Sequence, residues 1–227
     1  MTPGPKLIYR CPACQGLFSR RTLASGNTFG AKFRSDGWMQ ASMLPRTPPL
    51  VACPHCAQSF CMIGAEPEAR YQDYAGSRIF WGEPTAEQLA EQQAHEALKA
   101  RYADVPAYDE PTLGQCLEYL QTQDLQGREW PLRMYAWHRI NDARLQTGRT
   151  ALTQAEESNL LALLLRMHSA EEDVPLLRAE ILRELRRFDE AAQALSGALP
   201  QEQIARAEQI MQAIERRDDQ PFIFQSS

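Results

Sequence analysis

The chain has no long apolar run. The longest, Leu160 to Leu165, falls far short of the roughly 20 residues that a helix needs to cross a bilayer, so no membrane partner is expected. The opening residues, Met1-Thr2-Pro3-Gly4-Pro5-Lys6, have no apolar region of the kind that directs export, and none is expected to act as a signal. There is no Walker phosphate loop, no Gly-x-Ser-x-Gly elbow and no dinucleotide fingerprint. Histidine is sparse, and His55, His95, His138 and His168 stand far apart. His95-Glu96 fails as a metalloprotease motif because Lys99 occupies the place of the second histidine. No catalytic residue, enzymatic activity or small-molecule substrate is therefore expected. Acid is nearly missing from residues 1–65, which hold Asp36 against seven bases, Lys6, Arg10, Arg20, Arg21, Lys32, Arg34 and Arg46, a formal +6. The remaining residues hold seventeen bases and twenty-eight acids, a formal −11, within a net −5 for 227 residues.

What stands out is cysteine in pairs. Cys11-Pro12-Ala13-Cys14 and Cys53-Pro54-His55-Cys56 are two Cys-x-x-Cys knuckles. Four thiolates suit one tetrahedral Zn2+, here structural, because four thiolates leave no open position for water. The alternatives are a redox dithiol pair or a metal-free region, with His55 or Cys61 as substitute ligands. The simpler readings are a solvent-facing His55 and a buried, apolar Cys61 and Cys116. Short β-like runs, Leu7-Ile8-Tyr9 and Leu50-Val51-Ala52, precede the knuckles. Leu17-Phe18 and Phe60-Cys61-Met62-Ile63 follow them. Strand, knuckle, strand, twice over, predicts a zinc ribbon at residues 1–65. Metal-like use of cysteine points to a reducing, cytoplasmic setting. The two knuckles are 38 residues apart, against about 15–20 in a standard ribbon, so an inserted hairpin or loop is expected. Its turns are Ser25 to Gly30 and Ser35 to Trp38, with Lys32-Phe33-Arg34 as a strand between them. Arg20, Arg21, Lys32, Arg34 and Trp38 are the candidate partner-binding residues. Bases interleaved with aromatics suit nucleic acid, although aromatics in a small domain usually form core.

Residues 66–110 read as a connector. Ile79-Phe80-Trp81 is an expected anchor, and Thr85-Ala86-Glu87-Gln88 is a capping box that opens a weakly apolar helix to about Tyr102. Residues 111–219 read as successive amphipathic helices with short loops: Pro111 to Thr122, Arg128 to Gln146, and a helix from the Thr153 capping box to Ser169. Three more follow, Asp173 to Arg186, a short one from Phe188, and Gln201 to Arg217. Trp130, Met134, Trp137 and Asn141 share a stripe. Asn141 is expected to tie neighbouring backbone, His138 to be a partly exposed helix histidine, and Gly148 to stop the helix. Glu171, Glu172 and Asp173 complement a helix N-terminus. Residues 220–227 form an apolar tail. The fold class is α+β, mainly α, a small β zinc-ribbon head followed by an antiparallel helical body.

Ala179, Phe188, Asp189, Glu190, Ala191, Leu195 and Ala198 fill roles in a tetratricopeptide (TPR) unit. The stretch from Ala179 to Pro200 resembles that family, with Arg186 where the turn glycine belongs and Pro175 in place of the helix-A tryptophan. About three repeats are normally needed to bury a solenoid core, so the preceding helices must supply degenerate layers. The whole layout resembles bacterial proteins of unassigned function that pair a double-CPxC zinc ribbon with a TPR-like tail. That resemblance implies architecture and no catalytic residues. A protein or peptide partner is expected for the helical groove, with nucleic acid on the basic ribbon as the alternative.

Overall fold

The computed structural model describes residues 1–72, 83–167 and 174–225. The expected anchor Ile79-Phe80-Trp81, His168 and the acids Glu171, Glu172 and Asp173 lie outside them. In chain order the elements are β1 (Thr2–Arg10), β2 (Leu17–Ser25), β3 (Lys32–Phe33), β4 (Met39–Gln40), β5 (Leu50–Ala52), β6 (Ser59–Cys61) and β7 (Ala69–Tyr71). The helices follow: α1 (Ala86–Arg101), α2 (Leu113–Thr122), α3 (Glu129–Thr147), α4 (Gln154–Arg166), α5 (Val174–Glu184), α6 (Phe188–Ala194) and α7 (Gln201–Glu215). The fold is α+β and mainly α, with a small antiparallel β region before the helices of the body.

The chain forms two compact units that do not follow linear order. One comprises Met1–Thr28 and Pro48–Pro111, the other Phe29–Thr47 and Thr112–Ser227. The insertion between the knuckles thus belongs to the helical unit, and the connector belongs to the ribbon.

In the first unit β1 pairs with β2, Ile8 opposite Ser19 and Tyr9 opposite Phe18. The register shifts between Pro3 and Lys6, where Pro3 and Pro5 have no N–H to give the ladder. On its other edge β1 takes up β7, giving the order β2-β1-β7, and β5 pairs with β6. The segment after α1 stitches these hairpins together. Ser19 N–H donates to the Pro106 carbonyl at 2.7 Å, and Asp109 exchanges two bonds with Ala52 at 2.8 and 3.0 Å. Tyr9, Phe18, Val51 and Met62 form a core around Cys11 and Cys53. A second cluster holds Ile8, Tyr71 and Tyr102, with Leu98 of α1 against it. The Thr85–Gln88 capping box is formed, and α1 buries no residue, as its weak apolar stripe implies.

In the second unit β3 and β4 make the inserted hairpin, turned at Gly37 with φ +78°. The tail lies along it, for Ser35 N–H donates to the Phe222 carbonyl at 2.8 Å and Phe224 N–H to the Phe33 carbonyl at 2.9 Å. The Thr153 capping box is in place, and Gly148 closes α3 in the left-handed region. Trp137 with Leu160, Leu163, Met167, Val174 and Ile181 forms one core, with Trp130 and Met134 against it. Ala179, Leu182, Ala191, Leu195, Ala207, Ile210 and Ile214 belong to another, shared by α5, α6 and α7. Arg186 stands at φ +60°. Arg187 N–H reaches the Leu182 carbonyl at 2.8 Å and Arg186 N–H the Arg183 carbonyl at 2.9 Å. This is the paired-bond C-cap that normally takes glycine.

Candidate metal centre

Each knuckle is a tight turn fixed by its proline and by backbone bonds that match almost one for one. In the first, Gln15 N–H donates to the Cys11 carbonyl and Cys11 N–H to the Gly16 carbonyl, both at 2.9 Å. In the second, Ala57 donates to Cys53 at 2.8 Å and Cys53 to Gln58 at 3.0 Å. Gln15 and Ala57, next after the second cysteine of each pair, both adopt positive φ, 64° and 59°. That kink aims two sulfurs at one point from each side.

The four Sγ atoms of Cys11, Cys14, Cys53 and Cys56 all lie within 4.8 Å of one another. Cys11 and Cys56 are 3.8 Å apart and Cys14 and Cys53 3.7 Å. A tetrahedron with metal–sulfur bonds of about 2.3 Å has edges of about 3.8 Å, so the donor set fits a tetrahedral ion. Among the described residues this is the metal-like grouping, and Cys61, buried on β6, is not in it.

Backbone amides supply the electrostatics. Burial raises the Cys11 thiol, but the N–H groups of Cys14 and Ala13 outweigh it and hold its pKa at about 7. Once one thiol ionises, its neighbours resist. The Gln58 N–H lowers Cys56, but burial and the sulfurs of Cys14, Cys53 and Cys11 together outweigh it and push its pKa up to about 12. Burial also raises Cys53, against the N–H groups of His55 and Cys56. Four thiolates this close need a cation, and a divalent ion would leave about −2 on the centre.

His55 does not ligate. It is exposed, as expected, but its Nε2 lies 2.8 Å from the Leu17 carbonyl, across on the first knuckle's strand. A Cβ on Gly16 would come within 2.5 Å of His55 Cδ2. The imidazole therefore clamps one knuckle onto the other, and glycine opposite it makes the room.

The candidate partner-binding residues divide between the two units. Arg20 is half-buried on β2 and hydrogen-bonds Tyr9, while Arg21 is exposed opposite Lys6. Lys32 is exposed on β3. Trp38 is half-buried, its ring 4.2 Å from the Arg46 guanidinium and 5.3 Å from His138. Arg34 is turned inward rather than out to a partner, its side chain 7% exposed.

Arg34 opens a polar network inside the helical unit that sequence reasoning missed. Its guanidinium holds Asp36 at 2.7 Å and Asp142 at 2.6 Å and donates to the His138 carbonyl at 3.0 Å. Asn141 donates to two carboxylates, Asp36 and Glu184, at 2.9 Å each, rather than to neighbouring backbone. Trp137 Nε1 and Arg144 Nη1 also donate to Glu184, at 3.1 and 2.8 Å. Arg144 goes on to the Asp219 carbonyl at 2.6 Å, and Arg183 pairs with Glu180 at 2.6 Å. Burial would raise Asp36, but His138 and Arg34 reverse it and hold the carboxyl below its usual range. Glu184 is pushed up to about 8 by burial and by Glu180, against Arg144 and Arg183. His138 is held down to about 4 by burial, with Arg46 and Arg34 adding and Asp36 opposing. One signal was available: Asn141 on the aromatic stripe of α3 announced a buried polar partner without naming it.

Comparison with protein-family models, with curated proteins and with solved structures gives no match to this chain.

Proposed function

We propose that this protein is a non-enzymatic adaptor, stapled by one structural Zn2+, whose helical unit meets a protein or peptide partner in the cytoplasm. The observation that carries the reading is the closed four-thiolate set, with two sulfur pairs at the edge length of a zinc tetrahedron. Such a set fills the ion's coordination and leaves no place for substrate, which supports a structural metal and a non-catalytic role. The reading of α5 and α6 as a TPR-like pair is supported by Ala179, Ala191 and Leu195 meeting in one core and by the tight C-cap at Arg186. No helix among the described residues is long and apolar enough to cross a membrane.

Nucleic acid is the weaker reading. The +6 of residues 1–65 is a sum over linear neighbours. Lys32, Arg34 and Arg46 fall in the helical unit, and the acidic connector falls with the ribbon. The first unit then holds eight bases and ten acids, a formal −2, and the second sixteen and nineteen, a formal −3. Neither presents the broad positive field that phosphate backbones need.

Two measurements test the proposal. Metal analysis is expected to return about one zinc per chain, lost on Cys14→Ser or Cys53→Ser. Affinity capture from a cytosolic lysate, run with and without nuclease, is expected to retain a stoichiometric protein in both cases. Recovery of nucleic acid alone, or protein that keeps its ribbon in chelator without metal, would sink the reading.

A further inference from the structure

We propose that the outer edge of β3, with the adjoining face of α7, is a strand-addition site for an extended aromatic-x-aromatic segment of a partner protein. Phe222 to Gln225 fill that site in cis until such a strand displaces them. The inference rests on the adaptor reading and names the chemistry of its partner.

Residues 218–225 are held largely by their backbone. Arg183, wholly buried, donates to the Asp218 and Gln220 carbonyls, and Arg144, also wholly buried, to the Asp219 carbonyl. Beyond Pro221 the chain becomes a third strand beside the hairpin. Ile223 stands opposite Arg34 in an antiparallel bridge. Ser35 N–H donates to the Phe222 carbonyl and Phe224 N–H to the Phe33 carbonyl, while Phe222 N–H donates to Ser35 Oγ at 3.1 Å. Gln209 of α7 takes both backbone groups of Gln225, its amide donating to the carbonyl at 3.1 Å and its Oε1 accepting from the N–H at 2.9 Å. None of these bonds uses a side chain of the segment, so an extended strand of another sequence satisfies them equally.

Side chains set the preference. Alternate residues of a strand share a face. Phe222 and Phe224 pack on the core of α5, α6 and α7 with their rings 5.4 Å apart, and Ile223 between them is 46% exposed. Arg183 lies 5.3 Å from the Phe222 ring, and Arg206 of α7 lies 4.8 Å from Phe33 and 5.6 Å from Phe224. A guanidinium over a ring favours an aromatic residue over an aliphatic one. The two halves of the segment differ in how they can leave. Pulling out residues 218–220 would strip acceptors from two buried guanidiniums, so those residues stay. Residues 222–225 are half-buried or exposed, and an incoming strand pairs again every backbone group they free.

The test uses the full, metal-loaded chain and a fluorescein-labelled peptide, Gln-Pro-Phe-Ile-Phe-Gln, matching residues 220–225 and read by anisotropy. One peptide per chain should bind the Phe222→Ala/Phe224→Ala variant roughly tenfold or more tightly than wild type, since the variant's own strand competes less. In that background Gln209→Ala should weaken binding several-fold. So should an N-methyl group on the second phenylalanine of the peptide, which removes the N–H that the Phe33 carbonyl accepts. Zinc content and circular dichroism should be unchanged. Hydrogen exchange of wild type gives an independent reading: the amides of Phe222, Phe224 and Gln225 should exchange faster than those of Ile210 and Ile214. Equal protection would mean that the strand leaves only on unfolding, and it overturns the proposal. So does peptide binding that is absent, equal in wild type and double variant, or indifferent to N-methylation. A wild-type dimer in sedimentation that the double variant abolishes overturns it too, by making the occupant a second copy's strand. If peptide binding fails while lysate capture still retains a protein, this inference falls alone; if capture retains none, the adaptor reading falls.

Discussion

Asp36→Ala is the sharpest perturbation of this molecule. Asp36 is fully buried, accepts three hydrogen bonds, from Arg34 Nε at 2.8 Å, Asn141 at 2.9 Å and the Trp38 N–H at 3.0 Å, and pairs with Arg34 Nη2 at 2.7 Å. Alanine removes all four contacts. Asn141 retains Glu184, but Arg34, nearly as buried, keeps only Asp142 and a carbonyl. Breaking a buried pair by deleting one partner costs about 3–5 kcal/mol, because the other charge stays out of water. That is a large part of the roughly 5–15 kcal/mol that holds a typical domain together. Arg34→Ala should cost a similar amount. The double variant should cost clearly less than the two together, since neither charge is then left alone. Urea unfolding of the metal-loaded protein in a Trp81→Phe background, followed by the fluorescence of the remaining Trp38, Trp130 and Trp137, reads the helical unit. Exposed Lys32→Ala, two residues before Arg34, is the control and should stay within about 0.5 kcal/mol. If Asp36→Ala also stays within about 1 kcal/mol, the insertion is not a built-in part of that unit and the network argument falls.

Three further predictions rest on single contacts. Gly16→Ala should speed zinc loss to a chromogenic chelator several-fold and His55→Ala less so, because the new methyl would stand 2.5 Å from the His55 ring. Equal release rates in all three proteins would remove the clamp. Ala57→Gly should raise the thermal midpoint of the first unit by relieving a left-handed alanine at φ 59°, worth about 1 kcal/mol; a lower midpoint would contradict this. His138 is held near pKa 4 in the fold, against its ordinary value of 6.5, so it is neutral in both states above about pH 6.5. As pH falls from 6.5 to 4 the unfolded chain takes the proton first, and stability drops by up to about 3 kcal/mol. His138→Gln should flatten that part of the stability profile relative to wild type, and an unchanged slope would refute the assignment.

Much of the local structure was legible. The Thr85 and Thr153 capping boxes, the Gly148 stop and the helix boundaries to within a few residues all depend on groups three or four positions apart. The four-cysteine cluster was legible for the same reason. A Cys-Pro-x-Cys turn carries its own geometry, and four such sulfurs have few stable arrangements. His55 was not legible as a clamp, because its partner carbonyl at Leu17 lies 38 residues back.

The sequence alone therefore determined the two knuckles, the α+β class and the succession of helices. Tertiary structure decided which parts belong together. Arg34 and Asp36 read as a base and an acid on a ribbon loop, yet they are buried among α3 residues more than 100 positions away. Arg144, Arg183, Glu180 and Glu184 read as ordinary helix charges and are wholly buried with one another. Charge is normally a surface signal, since isolated burial is costly, and the exception needs partners that only the folded chain assembles. The apparent basic head dissolved in the same way. Linear neighbours summed to +6, but folding distributed them between two units that are each slightly acidic.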